Sequence, residues 1–225
     1  MPVDPNVPIE VTAYEWVPPQ VQGKVKDMRV RWVLEEIGLP YRERLFGGAG
    51  GEKAPEHFAV QPFGQVPVYQ ESELTLFESG AILLHIGGKD ERLLPHEPVA
   101  RARATGWMFA ALNSVEPFLQ MLFVVGFLTD GKDWQGEAKD LVRPFAEMRL
   151  KQLSNALGEQ DWLEGRFTLG DLLMIDVLRT QPPPELLAQH PNLVAYVERG
   201  TSRPAFKAAM ATQLAAFARS EPVAA

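Results

Sequence analysis

The sequence predicts a two-domain protein, with an α/β domain over residues 1–88 and an all-helical domain over residues 89–225. Strand-like and helix-like apolar periods take turns in the first 88 residues. A stretch rich in Gly, Pro and charged residues follows at 87–98, which is typical of an interdomain linker. Every periodic segment beyond it has helical spacing. These observations favour two small domains over one large one in a chain of this length.

The first half predicts the order strand, helix, strand, hairpin, helix. Ile9, Val11 and Ala13 alternate with polar neighbours, which indicates a first strand. Apolar residues at i, i+3, i+4 and i+7 from Val30 then predict a helix, which Gly38 should end. The remaining predicted elements are a loop at 15–23, a strand at 41–46, a glycine-rich loop at 47–51, an antiparallel pair at 66–70 and 74–77, and a helix at 81–86 that Ser79 should cap.

The second half predicts helices at about 99–126, 137–157 and 169–180, with shorter ones around Pro191 and Pro204. Thr168 and Asp171 have the spacing of a capping box, in which the threonine accepts from backbone N–H groups and the acid reciprocates. We interpret both residues, with Asp176, as stabilising the fold.

Composition excludes several classes of function. The chain has no cysteine, which excludes disulfides, thiolate metal sites and a cysteine nucleophile of its own. The net charge of −7 disfavours nucleic acid as a partner. The four histidines lack the spacing of metal ligands, so no metal is expected. We found no apolar run of membrane-spanning length and no leader segment, so we expect a cytoplasmic protein without a membrane partner.

Two motifs carry a family resemblance. The stretch from Gln61 to Pro67 reads Gln-Pro-Phe-Gly-Gln-Val-Pro, and the stretch from Leu76 to Ile82 reads Leu-Phe-Glu-Ser-Gly-Ala-Ile. Their order and spacing resemble the glutathione-site core of the glutathione transferases. The resemblance covers nearly the whole chain after residue 8. It implies the glutathione transferase fold, a thioredoxin-like α/β domain followed by an all-α domain, with glutathione as co-substrate and a homodimer as the assembly.

The resemblance also implies which residues hold glutathione. Val66 precedes a cis-proline, Pro67, and would pair its backbone with the cysteinyl residue of the ligand, as an added strand would. Ser79 would bind the γ-glutamyl carboxylate at a helix N-terminus, and Glu78 would receive the γ-glutamyl ammonium. Lys53 would meet the glycyl carboxylate and Gln65 would add a polar contact.

Each of these residues also has a plain structural interpretation. Ser79 alone could be an ordinary helix cap, and Glu78 a surface acid. Lys53 alone could be a solvated loop lysine, and Pro67 a trans turn proline. The joint order of the two motifs favours the glutathione site.

The sequence offers several candidates for the group that activates the glutathione thiol. The family supplies a Tyr, Ser or Cys at or soon after the first strand, and this chain has neither Cys nor Ser there. Tyr14 is therefore our candidate catalytic residue, as the hydrogen-bond donor to the thiolate. The indole N–H of Trp16, a backbone donor, or no activation at all remain alternatives. Lys24 stands at the position of the family's serine.

The electrophile pocket is expected to be lined by Trp16 and by residues of the first long helix, namely Trp107, Met108 and Ala111. At helical spacing such residues are also typical of plain core packing. The leading hypothesis is an enzyme that conjugates glutathione to small apolar electrophiles. The alternatives are a non-catalytic binding protein of the same fold and, less favoured without a cysteine, a thiol-transferring enzyme.

Overall fold

The computed structural model describes residues 3–47 and 55–220. The chain forms two compact units. The first comprises the chain up to Asp90 together with the stretch that begins at Arg203, and the second is Glu91–Ser202. The domain boundary near residue 88 stays a prediction. The sequence predicts that the last helix belongs to the second domain. The described part of that helix instead groups with the first unit.

The first unit is built on a four-stranded mixed sheet. Its elements are β1 (Glu10–Tyr14), α1 (Asp27–Ile37), β2 (Arg42–Phe46), α2 (Pro55–Val60), β3 (Val68–Glu71), β4 (Leu74–Phe77), α3 (Ser79–Gly87) and α10 (Pro204–Arg219). The strand order is β2-β1-β3-β4, with β1 and β2 parallel and the other pairs antiparallel. This is the thioredoxin-like arrangement that the resemblance implies.

The predicted elements of this unit are largely confirmed, and two features were missed. The left-handed Gly38 (φ 70°) ends α1 as expected. Helix α2 was not predicted, because its six residues are too few for a helical period to show. The expectation that Ser79 caps α3 is wrong by one residue, since Glu78 holds the cap position and Ser79 is the first helical residue.

Helix α10 is held in the first unit by buried polar contacts. Gln213 Nε2 donates to Asp27 Oδ1 over 2.8 Å, and Arg31 Nε donates to Asp27 Oδ2 over 2.7 Å. Burial raises the pKa of Asp27, while the Arg31 guanidinium beside it acts in the opposite direction. At the start of the same helix, Arg203 forms a two-point ion pair with Glu36. These pairs join α10 to α1.

The second unit contains only helices among its described elements. They are α4 (Pro98–Phe109), α5 (Glu116–Leu128), α6 (Gln135–Leu157), α7 (Leu169–Thr180), α8 (Pro184–Leu187) and α9 (Pro191–Thr201). A π-helical segment, Ala110–Val115, joins α4 to α5. Helix α7 is buried along nearly its whole length and forms the centre of this unit.

The predicted capping box at the start of α7 is present. Asp171 Oδ2 accepts from the Thr168 backbone N–H, while Asp171 Oδ1 accepts from the Leu163 N–H and the Tyr196 hydroxyl. Burial raises the pKa of Asp171, and these donors oppose that shift. The structural role that we assigned to Thr168 and Asp171 fits these contacts.

One helical stretch reaches membrane-spanning length. Pro98–Leu128 contains an 18-residue window with a mean hydropathy of 1.5, of which 33% is buried in the structure. The expectation that the chain has no apolar segment of membrane-spanning length is therefore wrong with respect to length and hydropathy. Core helices of water-soluble proteins meet the same criteria, so length and composition alone establish no membrane span.

Candidate functional site: a cleft beside the cis-proline

The loop between α2 and β3 contributes residues to the candidate site. Gly64 has a φ of 63° and lies against the ring of Phe58, where a Cβ atom would approach a ring carbon to 2.5 Å. Any larger residue at position 64 would clash with the Phe58 ring. It would also have to adopt a left-handed backbone conformation, which residues with a Cβ atom disfavour. The Val66–Pro67 peptide is cis, as the resemblance implied. The backbone of Val66 is thereby placed next to the start of β3.

Two side chains from neighbouring elements hold this loop. Thr12 Oγ1, on β1, accepts the Val68 N–H over 2.6 Å. His57, on α2, is buried, and its Nε2 lies 2.8 Å from the Gln65 carbonyl oxygen. Since a carbonyl can only accept, that nitrogen carries the proton. The loop is thus fixed on both sides of Val66.

The start of α3 supplies the opposite part of the site. Glu78 is exposed and has a φ of 69°, which is uncommon for a residue other than glycine. Such backbone geometry often occurs at ligand sites. Ser79 is buried, and its Oγ accepts a hydrogen bond from Nη1 of the buried Arg29 over 3.3 Å. The Ser79 hydroxyl is therefore hydrogen-bonded to a buried guanidinium.

These elements enclose one cleft. Its lining residues are Lys26, Gln61, Gln65, Val66, Pro67, Glu78 and Ser79. Five of them, from Gln65 to Ser79, are residues that the sequence named for glutathione. The structure therefore brings the two motifs together, as a ligand site requires.

The sequence did not single out three residues of this site. Lys26 precedes α1 and lines the cleft. Arg29 and His57 lie behind the lining, against Ser79 and Gln65. The sequence does not reveal the roles of Arg29 and His57, because their partners are 50 and 8 residues away along the chain. A basic residue just ahead of the first helix was the one available signal.

Some predicted site residues do not line this cleft, and others lie outside the residues that the structure describes. Tyr14 ends β1 half-buried and is not among the residues that line the cleft. Trp16 is half-buried, and its indole nitrogen is enclosed with no hydrogen-bond partner recorded in the described chain. Lys53, like residues 48–51 of the predicted glycine-rich loop, lies outside the described residues.

Trp107, Met108 and Ala111, three of the four residues proposed for an electrophile pocket, lie within the helical unit. Met108 and Ala111 are buried. Trp107 is half-buried and donates its indole N–H to Glu164 Oε1 over 2.8 Å. Gly170 of α7 lies so close that a Cβ atom there would approach Trp107 Cβ to 2.6 Å. These contacts describe close helix packing, and a role in binding an electrophile stays a prediction.

No group of three or more His, Asp or Glu side chains in the described part of the chain is arranged to hold a metal ion.

Comparison with known proteins defines the class. The family described as glutathione S-transferase, N-terminal domain, matches residues 12–88. Glutathione S-transferase F14 of Arabidopsis thaliana is 31% identical over 192 residues, covering 77% of this chain and 74% of that protein. Glutathione S-transferase GstA of Escherichia coli O157:H7 is 30% identical over 168 residues, covering 72% of this chain and 80% of its own.

Solved structures agree in fold. A glutathione transferase family member from Pseudomonas fluorescens, with two glutathione bound, has a TM-score of 0.74 at 24% identity and covers 90% of this chain and 92% of its own. The theta class glutathione S-transferase from Xanthomonas axonopodis pv. citri, with glutathione bound, has a TM-score of 0.72 at 24% identity, covering 90% and 97%. These structures share the fold, and the relatives at 30–31% identity show that the chain belongs to the glutathione S-transferase family.

Proposed function

We propose that this glutathione transferase joins the thiol of glutathione to small apolar electrophiles. The observation that carries the proposal is the cleft that Val66 and Pro67 line together with Glu78 and Ser79. Relatives named glutathione S-transferases at 30–31% identity support the same activity.

Glutathione fits the chemistry of the cleft as follows. The backbone of Val66 pairs with the cysteinyl residue of the tripeptide, as a short added strand does. The hydroxyl of Ser79, with Arg29 behind it, binds the γ-glutamyl carboxylate, and Glu78 receives the ammonium of the same head group. Gln65 adds a polar contact. Lys53 is our candidate for the glycyl carboxylate.

The thiol must lose its proton to attack. A free thiol has a pKa of about 8.5, so only a few per cent is ionised at neutral pH. Tyr14 stays our sequence prediction for the hydrogen-bond donor, with Trp16 as the alternative, because Tyr14 is the last residue of β1 and Trp16 follows it closely. Once ionised, the sulfur forms a bond to the electrophilic carbon, and the leaving group departs with its electron pair.

The electrophile is proposed to be flat and apolar, and to contact Trp16, Trp107, Met108 and Ala111. Aromatic and methionine side chains suit such ligands. A role in detoxification and a cytoplasmic location follow as proposals from this chemistry and from the family.

We also propose a homodimer. Large apolar side chains on α5 and α6 are exposed in the single chain, and apolar surface of this kind is often covered by a partner. These residues are Met121, Phe123, Phe127, Leu128, Leu141, Phe145 and Met148. Light scattering coupled to gel filtration distinguishes a dimer of two 25.1 kDa chains from a monomer.

The experiment is a conjugation assay with glutathione and 1-chloro-2,4-dinitrobenzene, run beside calorimetric binding of glutathione. Saturable binding with turnover supports the enzyme. Saturable binding without turnover, across a panel of activated aryl halides, epoxides and enals, supports the non-catalytic alternative. Absence of both contradicts the proposal.

A further inference from the structure

Lys26 occupies the part of the cleft nearest the start of the first helix. It is half-buried at the position just before Asp27, the first residue of α1. A helix N-terminus carries a partial positive charge, so the lysine and the helix dipole act in the same direction there. The acid in the first turn, Asp27, is buried against Arg31 and Gln213. This corner of the cleft is therefore electropositive.

The charges on the cleft walls can be matched to the charges on glutathione. The ligand brings one ammonium, two carboxylates and, once ionised, a thiolate. Glu78 suits the ammonium, and Ser79 with Arg29 suits the neighbouring carboxylate. Among the described lining residues, Lys26 is the one with a cationic side chain, and a further negative group of the ligand is its electrostatic complement.

The position of the sulfur is limited by the backbone pairing proposed above. The cysteinyl residue lies between the γ-glutamyl and glycyl residues, and its backbone pairs with Val66. Val66 lines the same cleft as Lys26. Residues 15–28, between β1 and the first turn of α1, contain no Ser, Thr, Cys or Tyr that could supply a hydroxyl or thiol donor.

We propose that the Lys26 ammonium, which lines the cleft as Tyr14 and Trp16 do not, is the group that holds the glutathione sulfur as a thiolate in place of the tyrosine predicted from the sequence. This inference rests on the proposed function, because it assigns a catalytic residue to that reaction. The thiol releases its proton to solvent water, and Lys26 stays protonated throughout. Its charge compensates the thiolate until the new carbon–sulfur bond forms.

The test compares Lys26→Met with a control variant, Lys207→Met. Lys207 is exposed on α10 and is not among the cleft-lining residues, and each variant removes one positive charge. The thiolate of bound glutathione is titrated by its ultraviolet absorbance. Binding of glutathione and of S-methylglutathione, which has no ionisable thiol, is measured by calorimetry.

Lys26→Met is expected to raise the pKa of the bound thiol by about one to three units, the effect of removing a nearby opposite charge. Its affinity for S-methylglutathione should stay at the wild-type value, while turnover at neutral pH falls and recovers in alkaline solution. Lys26→Arg should keep most of the depressed thiol pKa, and Lys207→Met should keep all of it.

Two results would overturn the inference. One is a titration curve for Lys26→Met that superimposes on that of the wild type. The other is an equal loss of affinity for glutathione and S-methylglutathione with an unchanged thiol pKa, which would assign Lys26 to a carboxylate. If the wild type binds no glutathione, the proposed function itself fails, and the calorimetry shows this before any variant is compared.

Discussion

Nη1 of Arg29 lies 3.3 Å from Oγ of Ser79, and both side chains are buried. The pair joins α1 to the first residue of α3 within the first unit. A serine that is backed by a guanidinium presents a hydroxyl that is already oriented and electropositive. The pair is the basis of our proposal that α3, which has no side-chain cap, binds the γ-glutamyl carboxylate at its start.

Ser79→Ala is expected to weaken glutathione binding by about 1.5–3 kcal/mol, the value of a hydrogen bond to a charged group. Because Arg29 acts through the same hydroxyl, Arg29→Lys should cost much less in the Ser79→Ala background than in the wild type. Calorimetry on the four proteins of this cycle measures the coupling. Ser202→Ala, an exposed serine after α9, is the control, and additive effects of the two changes would refute the coupling.

His57→Phe is expected to lower both stability and glutathione affinity. The change removes the donor to the Gln65 carbonyl, and an unsatisfied buried polar group costs about 1–3 kcal/mol. His57→Gln can still donate and should recover part of both losses. Urea denaturation and calorimetry measure the two quantities. A His57→Phe protein with wild-type affinity would show that the loop next to Val66 does not depend on this contact.

Gln213→Ala should destabilise the protein by about 1–3 kcal/mol, because Asp27 loses a buried donor. Helix α10 packs against α1, so the loss should appear as a lower unfolding midpoint in urea. Lys207→Ala, on an exposed position of the same helix, is the control and should have little effect. Equal midpoints for the two variants would mean that this contact does not stabilise α10.

Acid should destabilise the wild type partly through Glu71. Hydrogen bonds from His85 and Lys89, and a weaker one from Tyr69, lower the pKa of Glu71 from 4.5 to about 2. A carboxyl whose pKa is lower in the folded state contributes stability above its unfolded pKa and loses it as the pH falls. The loss through Glu71 should therefore occur between about pH 4.5 and pH 2.

Glu71→Gln removes that contribution, so its stability should change less over the same interval than the stability of the wild type. Thermal unfolding followed across this pH range makes the comparison. Glu73→Gln, in the exposed turn next to β4, serves as the control. Parallel pH profiles for Glu71→Gln and the wild type would exclude this origin of acid sensitivity.

Much of the fold could be predicted because its signals are local. The left-handed glycine at the end of α1 and the capping box of α7 each lie within a few residues of sequence. Helix α2 was missed because six residues are too few for periodicity. The grouping of α10 with the first unit depends on contacts such as Gln213 with Asp27, which are 186 residues apart.

The residues of the candidate site likewise divide into those that could be predicted from the sequence and those that could not. Val66, Pro67, Glu78 and Ser79 could be named because they belong to contiguous motifs. Arg29 and His57 could not, since each acts on a residue distant in sequence. Lys26 could be recognised only from the structure, because the sequence does not show that it lines the same cleft as Val66 and Ser79.

The central claim is that the cleft between Val66 and Ser79 is the glutathione site. Calorimetric titration of glutathione into the wild type and into the double variant Glu78→Ala/Ser79→Ala tests it most directly. The matched control is Ser72→Ala/Glu73→Ala, an exposed serine and glutamate in the turn between β3 and β4. We expect one glutathione per chain in the wild type and the control, and a loss of several kcal/mol in the site variant. Wild-type affinity in a folded site variant would contradict the claim.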